Sequence, residues 1–408
     1  MPNIKPLVAN SVAVISDAHM GAGNSILDDP TEMHRFRDFV IEHVGKSEVL
    51  VLLGDIFDLS LARYEETVPK VQSLLKIVAS CADRLIYVPG NHDHHIWLLA
   101  SERAEVMDVL PEVPHGFYPR TDRIYGSDAL PFLAQLMGVP KIEICYPNVY
   151  VMPKDAPGLA YVLHHGHYVE DTFTIISDLY ADLFNGKVPT LEELEELNAG
   201  WFEMLWYHLG QIGAGIGADG FVEAFYGKIE KQETRGIEDA IRRLYIRKLS
   251  TYVHGILDDL VKKHWYVPAW LARLAAKFLD RHAPGWLVSL VEGYGNRQVS
   301  EGTKRASSFR GTALDKELGE HCDEYCDQYL VKHHDFLNGH RIRTVFGHTH
   351  SSGIWPIENP RHFNSGGWIR GPKGEWPDAR VLRIDARGTL ETFAYGQGGV
   401  LAGKQSYP

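Results

Sequence analysis

The chain has few cysteines for its length: four in 408 residues, at Cys81, Cys145, Cys322 and Cys326. So few cysteines exclude a disulfide framework of the kind that small secreted domains use in place of a large core. Cys322 and Cys326 lie four residues apart beside His321, which leaves a zinc site as one interpretation. A pair of buried thiols on one helix is the interpretation we favour. A reducing compartment, the cytoplasm, is the expectation.

Long apolar runs and an excess of basic residues are also lacking. The sequence contains no apolar run of about 18 residues, so it predicts no transmembrane helix. Its first residues show no basic stretch followed by a long apolar one, and no signal peptide is expected. The formal net charge is −12. Because nucleic-acid binding depends on Lys and Arg that neutralise phosphates, this balance argues against a general nucleic-acid binder.

What the chain does contain is an ordinary globular composition, 45% hydrophobic and 23% charged, together with 21 histidines. Its length suggests two or three domains at roughly 150 residues each. Strand-like runs at 11–17, 48–55 and 83–91 alternate with helical patterns at 31–44 and 65–80. This alternation predicts an α/β domain whose central strands are covered on both faces.

The character of the chain then changes twice. Two strand-like segments, 142–152 and 159–168, are joined by the turn-forming residues PKDAPG. The residues that follow are helical in pattern and rich in aromatics until about 340, where strand-like runs return. We therefore predict one domain formed by 1–168 and 341–408, with a helical cap inserted over 169–340. Near the start of the cap, the TLEE sequence predicts a capping box.

Polar residues collect at the ends of the predicted strands in five short motifs. These are DAH from Asp17, GDIFD from Gly54, GNHD from Gly90, HGH from His165 and GHTH from Gly347. Asp and neutral His hold divalent ions such as Mn, Fe and Zn. In an extended segment, residues two apart point the same way, so Asp17 and His19 can face one ion. With one carboxylate shared between two ions, the five motifs predict a two-metal site.

Taken in this order, DxH, GDxxD, GNHD, HG and GHxH resemble the motif set of the calcineurin-like metallophosphoesterases. The wording SDAHMG and GDIFDL is similar to the UDP-2,3-diacylglucosamine pyrophosphohydrolase-like and phosphodiesterase branches of that family. The resemblance covers residues 1–168 and 341–395 and leaves out the helical insertion. It implies a four-layer α-β-β-α sandwich, in the α/β class, with the cap domain inserted.

The resemblance assigns seven metal ligands. One ion would be held by Asp17, His19 and His350. The other would be held by Asn91, His165 and His348. Asp55 would bridge the two. The resemblance implies two divalent transition-metal ions, manganese first and iron or zinc as alternatives. A water or hydroxide held by them would be the nucleophile.

The resemblance also implies two catalytic residues. His92 would lie near the scissile ester, where it would stabilise a phosphoryl oxygen or protonate the leaving group. Asp58 would hold the His92 ring from behind. Asp93 is expected to cap the helix that begins near His94. His94 is a candidate substrate contact, with a solvated position in the first helical turn as the alternative. His167 is a candidate contact to substrate, with contact to metal or to His348 as the alternatives.

The insertion bears on the substrate, which the core motifs do not choose. Residues 268–281, PAWLARLAAKFLDR, place apolar side chains on one helical face and basic ones on another. This pattern is typical of a cap helix packed on its neighbours or of a helix at a membrane surface. Arg305 and Arg310 are candidates for clamping a phosphate, and a solvated loop is the alternative.

The expected function is hydrolysis of a phosphodiester or pyrophosphate bond in a small substrate, nucleotide- or lipid-linked, with no obligate protein partner. A phosphomonoesterase or protein phosphatase on the same site is the first alternative. Protein phosphatases of this family carry Arg-Gly after GDxxD, whereas Leu59 and Ser60 follow here. A catalytically inactive scaffold is the second alternative, and the complete motif set argues against it.

Overall fold

The computed structural model describes residues 5–21, 23–109, 121–127, 130–170, 173–180, 190–208, 314–371 and 374–408. All of them belong to one compact unit of the chain, which spans 1–219 and 309–408. Arg305, Arg310 and the predicted helix over 268–281 lie outside the described residues. None of the described helices has the length and apolar character that a bilayer span requires.

The described strands and helices alternate as predicted over 11–91, whereas the strand predicted over 142–152 forms two strands, Glu143–Ile144 and Asn148–Pro153, in different sheets. The strands are β1 (Leu7–Ala9), β2 (Ser11–Ile15), β3 (Ser47–Leu53), β4 (Ala82–Val88), β5 (Tyr125–Gly126), β6 (Glu143–Ile144), β7 (Asn148–Pro153), β8 (Leu159–His164), β9 (Arg341–Phe346), β10 (Ser352–Trp355), β11 (His362–Ser365), β12 (Arg380–Asp385), β13 (Leu390–Tyr395) and β14 (Leu401–Tyr407). The helices are α1 (Pro30–Phe39), α2 (Tyr64–Val78), α3 (His94–Val109), α4 (Pro131–Met137), α5 (Ile175–Tyr180), α6 (Leu191–Phe202) and α7 (Lys316–Tyr325).

The strands form two mixed sheets. The larger sheet has the order β14-β13-β12-β2-β3-β4-β6-β5, and the smaller has the order β1-β7-β8-β9-β11-β10. β2, β3 and β4 are parallel neighbours in the larger sheet, as are β8, β9 and β11 in the smaller one. Parallel neighbours end at the same edge of a sheet. The residues after β2, β3 and β4 therefore lie together, and so do those after β8 and β9.

The central strands are buried on both faces because successive side chains enter two different cores. In β3, Val49, Val51 and Leu53 pack in a core that contains residues of both sheets and of no described helix. Leu50 and Leu52 point the other way, into the core that includes the helices. This double burial explains why the strand reads as one continuous apolar run with no polar alternation.

Helices cover the outer face of each sheet. Phe36 of α1 packs against Tyr395 of β13 in the larger sheet, with ring centroids 6.0 Å apart. On the other side, Tyr325 of α7 packs against His164 of β8, at 5.2 Å. The Tyr325 hydroxyl also donates to Asn148 of β7 at 3.0 Å. The predicted four-layer α-β-β-α arrangement is confirmed.

The predicted cap over 169–340 is described only near its two ends. At the first end the capping box is confirmed, since Thr190 N–H donates to Glu193 Oε2 at 2.8 Å and Glu193 N–H donates to Thr190 Oγ1 at 3.2 Å. Phe202 of α6 and Cys322 of α7 are buried in the core that includes the helices. The cap and its boundaries stay predictions.

Candidate metal centre

The five motifs follow five strand ends and converge on one cluster of side chains. Asp17 follows β2, Asp55 follows β3 and Asn91 follows β4 in the larger sheet. His165 follows β8 and His348 follows β9 in the smaller sheet. The cluster therefore joins the two sheets across the edge at which their parallel strands end.

A first group of possible ligands consists of Asp17, His19, Asp55 and His350. His19 Nε2 lies 2.8 Å from His350 Nε2 and 3.5 Å from Asp55 Oδ2. His350 Nε2 lies 3.4 Å from Asp17 Oδ1. Ligand atoms held at about 2.1 Å from one ion are separated by about 3.0 to 3.4 Å in octahedral or tetrahedral geometry. These spacings fit a single divalent ion.

A second group consists of Asp55, His165 and His348, with Asn91 beside them. His165 Nε2 lies 3.2 Å from Asp55 Oδ2, 3.2 Å from His348 Nδ1 and 3.1 Å from Asn91 Oδ1. The same oxygen of Asp55 therefore approaches histidines of both groups, as a carboxylate between two ions must. The structure brings all seven predicted ligands together.

The charges of the cluster suit cations. Burial would raise the pKa of Asp55, but His165, His92 and His19 outweigh it and hold the pKa well below its usual value. Burial would lower the pKa of His165, but Asp55 raises it to about 9. The cluster thus keeps carboxylates ionised and takes up protons that a bound metal would displace. Two carboxylates, one amide oxygen and four imidazoles form a donor set for divalent transition metals.

Five of the seven predicted ligands have a left-handed backbone. The φ angle is +53° at Asp17, +45° at His19, +51° at Asp55, +68° at His348 and +57° at His350. Such conformations cost on the order of 1 kcal/mol each outside glycine, and they concentrate at functional sites. Asp17 and His19 fall in one ligand group as predicted, but the segment that holds them is not extended. A turn at each residue aims the side chains at the cluster.

Glycines next to the ligands make room for them. Gly54 has a φ of +81°, and a Cβ at this position would overlap the His165 ring. A Cβ at Gly347 would overlap the Asp17 carboxylate. At both positions only glycine allows the backbone to come this close to a ligand side chain.

His92 lies at the rim of the cluster. Its Nδ1 is 3.0 Å from Asp58 Oδ1, and its Nε2 is 3.9 Å from Asp55 Oδ2. The His92 side chain is 17% exposed and that of His350 is 12% exposed. The other six predicted ligands are at most 6% exposed. Among the described residues of the cluster, His92 and His350 are therefore the most accessible to a substrate.

Asp58 holds two imidazoles, although the sequence pointed to only one. Its Oδ2 lies 2.9 Å from His19 Nδ1. Its Oδ1 lies near His92 and accepts from the Ser60 hydroxyl at 2.6 Å. Burial would raise the pKa of Asp58, but His92 and His19 hold it well below the usual value. The ionised carboxylate fixes the orientation of one predicted ligand and one predicted catalyst.

Asp93 does not cap α3 with its side chain as expected. Its Oδ2 accepts the N–H groups of Ile56 at 2.8 Å and Phe57 at 3.2 Å, and its Oδ1 accepts that of Gly90 at 2.5 Å. The loop after β3 offers buried N–H groups that need an acceptor, and these groups take the carboxylate away from the helix. Burial, together with Asp55, raises the pKa of Asp93 to about 6.

The candidate substrate contacts His94 and His167 are both buried. His94 Nε2 lies 2.7 Å from Glu195 Oε1, and His167 Nε2 lies 2.9 Å from the Tyr146 hydroxyl. The structure thus gives each ring a protein partner and places neither at the rim. Substrate contact by these residues stays a prediction, as it does for the two arginines of the insertion.

Glu195 and Glu203 were missed by the sequence reasoning. Both come from the segment after β8 and face the first turn of α3, where Glu203 Oε1 lies 3.6 Å from His94 Nδ1. Burial would lower the pKa of His94, but Glu195 and Glu203 raise it to about 9. No local pattern could have shown this, because His94 and Glu195 are 101 positions apart.

The stability that His94 contributes should depend on pH. Its folded pKa of about 9 lies above the usual 6.5, so the folded chain keeps a proton that the unfolded chain loses between these values. The contribution is fully present below about pH 6.5 and is lost as the pH rises through about 9, by roughly 3 kcal/mol in total. The Tm difference between wild type and His94→Gln should therefore be larger at pH 6 than at pH 9.5.

The exposed His34 of α1 offers a matched control. His34→Gln should change Tm little at either pH. A Tm difference for His94→Gln that does not change with pH would contradict the charged pairing of His94.

Residues 11–182 match the family model described as calcineurin-like phosphoesterase. Among solved structures, a dimetal phosphatase from Danio rerio is similar at 12% identity, with 98% of this chain and 99% of that chain covered and a TM-score of 0.34. GAP50, the anchor in the inner membrane complex of Plasmodium, is similar at 8% identity, with 98% and 89% covered and a TM-score of 0.33. Phosphopantetheinyl hydrolase from Mycobacterium tuberculosis is similar at 12% identity, with 48% and 63% covered and a TM-score of 0.19. No curated protein matches the chain.

Proposed function

We propose that the protein, whose residues 11–182 match the calcineurin-like phosphoesterase family, hydrolyses a phosphodiester or pyrophosphate bond in a small substrate. The general class, a metal-dependent phosphoric ester hydrolase with a dinuclear divalent site, follows from the family and from the two ligand groups around Asp55. The observation that supports the proposed chemistry best is the position of His92, held by Asp58 at the open side of the cluster.

The residues divide the work between holding ions and moving a proton. Two divalent ions held by the seven ligands would lower the pKa of water and offset charge on the phosphoryl oxygens. The Asp58 carboxylate pairs with His92 Nδ1, which leaves Nε2 as the ring nitrogen on the side of the cluster. An ionised Asp58 stabilises the protonated ring, so that Nε2 can give a proton to the leaving oxygen.

The residues after the GDIFD motif support a diester or pyrophosphate over a monoester. Leu59 is fully buried, and the Ser60 hydroxyl lies 2.6 Å from both Asp58 Oδ1 and His92 Nδ1. This position therefore offers no cation to the phosphate, whereas family protein phosphatases carry an arginine there. A monoester dianion places one more charge on the phosphoryl oxygens than a diester does, and it depends more on such a cation.

The proposal extends to the surroundings of the enzyme. We take the substrate to be nucleotide- or lipid-linked, with peripheral membrane contact through residues 268–281, whose sequence has an apolar and a basic face. We do not propose long nucleic acids as substrates, because the formal net charge is −12. The four cysteines are free and buried, which supports a reducing cytoplasm. No obligate protein partner is proposed.

Metal analysis and a substrate panel test the proposal. Purified protein should contain about two divalent ions per chain, and EDTA should remove both the ions and the activity. Manganese-loaded protein would be assayed with bis-p-nitrophenyl phosphate, p-nitrophenyl phosphate, cyclic AMP and a UDP-sugar pyrophosphate. We expect a diester or the pyrophosphate to be hydrolysed faster than the monoester.

The other outcomes of the panel favour the alternatives. Faster hydrolysis of p-nitrophenyl phosphate would overturn the substrate proposal in favour of a phosphomonoesterase. Two bound ions without turnover of any compound would favour an inactive scaffold. A protein that binds no metal, and is indifferent to added metal, would contradict the enzyme itself.

A further inference from the structure

A buried carboxylate, Glu170, lies beside the second ligand group and belongs to none of the five motifs. It directly follows the short helical turn His167–Val169 and is 4% exposed. Its Oε1 lies 3.1 Å from Nε2 of His348. The ring N–H is not aligned on this oxygen, so the contact is a close polar approach at hydrogen-bond distance.

The His348 ring uses its two nitrogens in different directions. Nδ1 lies 3.2 Å from His165 Nε2, inside the second ligand group. Nε2, on the far side of the ring, lies against Glu170. Phe173 packs against the ring as well, with centroids 5.4 Å apart. The nitrogen that can bind an ion and the nitrogen that faces Glu170 are therefore distinct.

Two other buried predicted ligands, His19 and His165, also direct one ring nitrogen to the cluster and the other to an outer oxygen. His19 turns Nε2 to the cluster and Nδ1 to Asp58, at 2.9 Å. His165 turns Nε2 to the cluster and Nδ1 to the carbonyl oxygen of Leu53, at 3.2 Å. An outer acceptor of this kind fixes the tautomer of a ligand histidine, sets its ring angle and raises the basicity of the binding nitrogen.

We propose that Glu170 is a positioning residue for the second metal ion, which it serves by holding His348 with Nδ1 directed at Asp55 and His165. The proposal rests on the proposed function, since it requires an ion at that group. A buried carboxylate 3.1 Å from Nε2 favours the tautomer that carries its proton there and leaves Nδ1 free to bind, so loss of Glu170 should weaken the second ion specifically. It also removes the polar neighbour of a buried ring nitrogen.

Two substitutions separate positioning from simple packing. Glu170→Ala removes the acceptor, and Glu170→Gln keeps an oxygen and the shape while removing the charge. Mn²⁺ binding to metal-stripped protein would be measured by titration calorimetry, together with the Tm of the metal-free form. We expect one of the two Mn²⁺ sites, and only one, to lose about 10- to 100-fold in affinity in Glu170→Ala. The loss in Glu170→Gln should be smaller.

Glu195→Gln provides the matched control, because Glu195 is another buried carboxylate that pairs with a histidine, His94, outside the ligand set. It should leave both Mn²⁺ affinities unchanged. Equal weakening of both sites in Glu170→Ala, with a lower Tm of the metal-free protein, would show that Glu170 only supports the fold and would overturn the proposal.

The design also separates this inference from the proposed function. Wild-type protein that binds no Mn²⁺ would overturn the proposed function and the inference with it. Wild-type protein that binds two ions, beside a folded Glu170→Ala variant with unchanged affinities, would overturn the inference alone.

Discussion

Asp55→Asn should lower turnover of bis-p-nitrophenyl phosphate by at least about 10³-fold and should reduce the metal content below two ions per chain. The reason is that Asp55 Oδ2 lies 3.5 Å from His19 Nε2 and 3.2 Å from His165 Nε2, so one oxygen serves both ligand groups. Asparagine keeps the shape of the side chain and tolerates the left-handed backbone, but it has no charge to share between two cations. Turnover and metal content would be measured on the same preparation.

Asp122→Asn is a matched control for this experiment. Asp122 is also a buried aspartate with a left-handed backbone, φ +62°, but its carboxylate accepts hydrogen bonds from Asn148 and lies 2.9 Å from His334 Nε2, none of them a predicted ligand. This variant should keep two ions. Near-normal turnover in Asp55→Asn would contradict the shared carboxylate and with it the two-ion site.

His92→Ala should lower turnover by about 10²- to 10⁴-fold while the metal content stays at that of wild type. The ring lies at the rim with Nε2 on the side of the cluster, so its loss removes a proton donor and no predicted ligand. Asp58→Asn should differ, because Asp58 also holds His19. We expect it to lower both turnover and the affinity of the first ion. Steady-state kinetics and elemental analysis of both variants test this contrast.

Ser60→Ala controls for the packing around His92, since it removes a hydroxyl 2.6 Å from the same ring nitrogen and leaves the Asp58 carboxylate in place. Its effect on turnover should be small beside that of His92→Ala. Loss of metal in His92→Ala would show instead that His92 is a ligand. His19, Asp58 and His92 are close enough together to hold an ion.

The sequence predicted the parts of this molecule that depend on local pattern. Continuous apolar runs in β2, β3 and β4 follow from burial on both faces, and the capping box at Thr190 joins residues only three positions apart. The convergence of the motifs was also predictable, because polar residues at the ends of parallel neighbours must meet at one edge of a sheet. These rules predicted where polar side chains collect, whereas the assignment of the seven ligands came from the resemblance to the metallophosphoesterase motif set.

No local rule predicts the contacts that hold the predicted ligands in place. Glu170 and His348 are 178 positions apart, and neither residue carries a mark of the other in the sequence. Asp93 has the residue type and the position of a helix cap, yet buried N–H groups in a distant loop claim its carboxylate. Tertiary packing decides which N–H groups a carboxylate accepts. Local sequence patterns carry no information about that packing.

The left-handed backbone at five ligands restricts which side chains can take part in the site at all. Asp, Asn and His are the residue types other than glycine that occur most often at positive φ, and they are the only types in the ligand set. Glutamate and cysteine bind divalent metals well in other folds, but they lack this backbone preference. Replacing these residues by cysteine, as in thiolate-rich zinc sites, would therefore strain the main chain, whatever the affinity of the thiolates for the metal. The turns between strand and loop therefore limit the residue types that can serve as ligands.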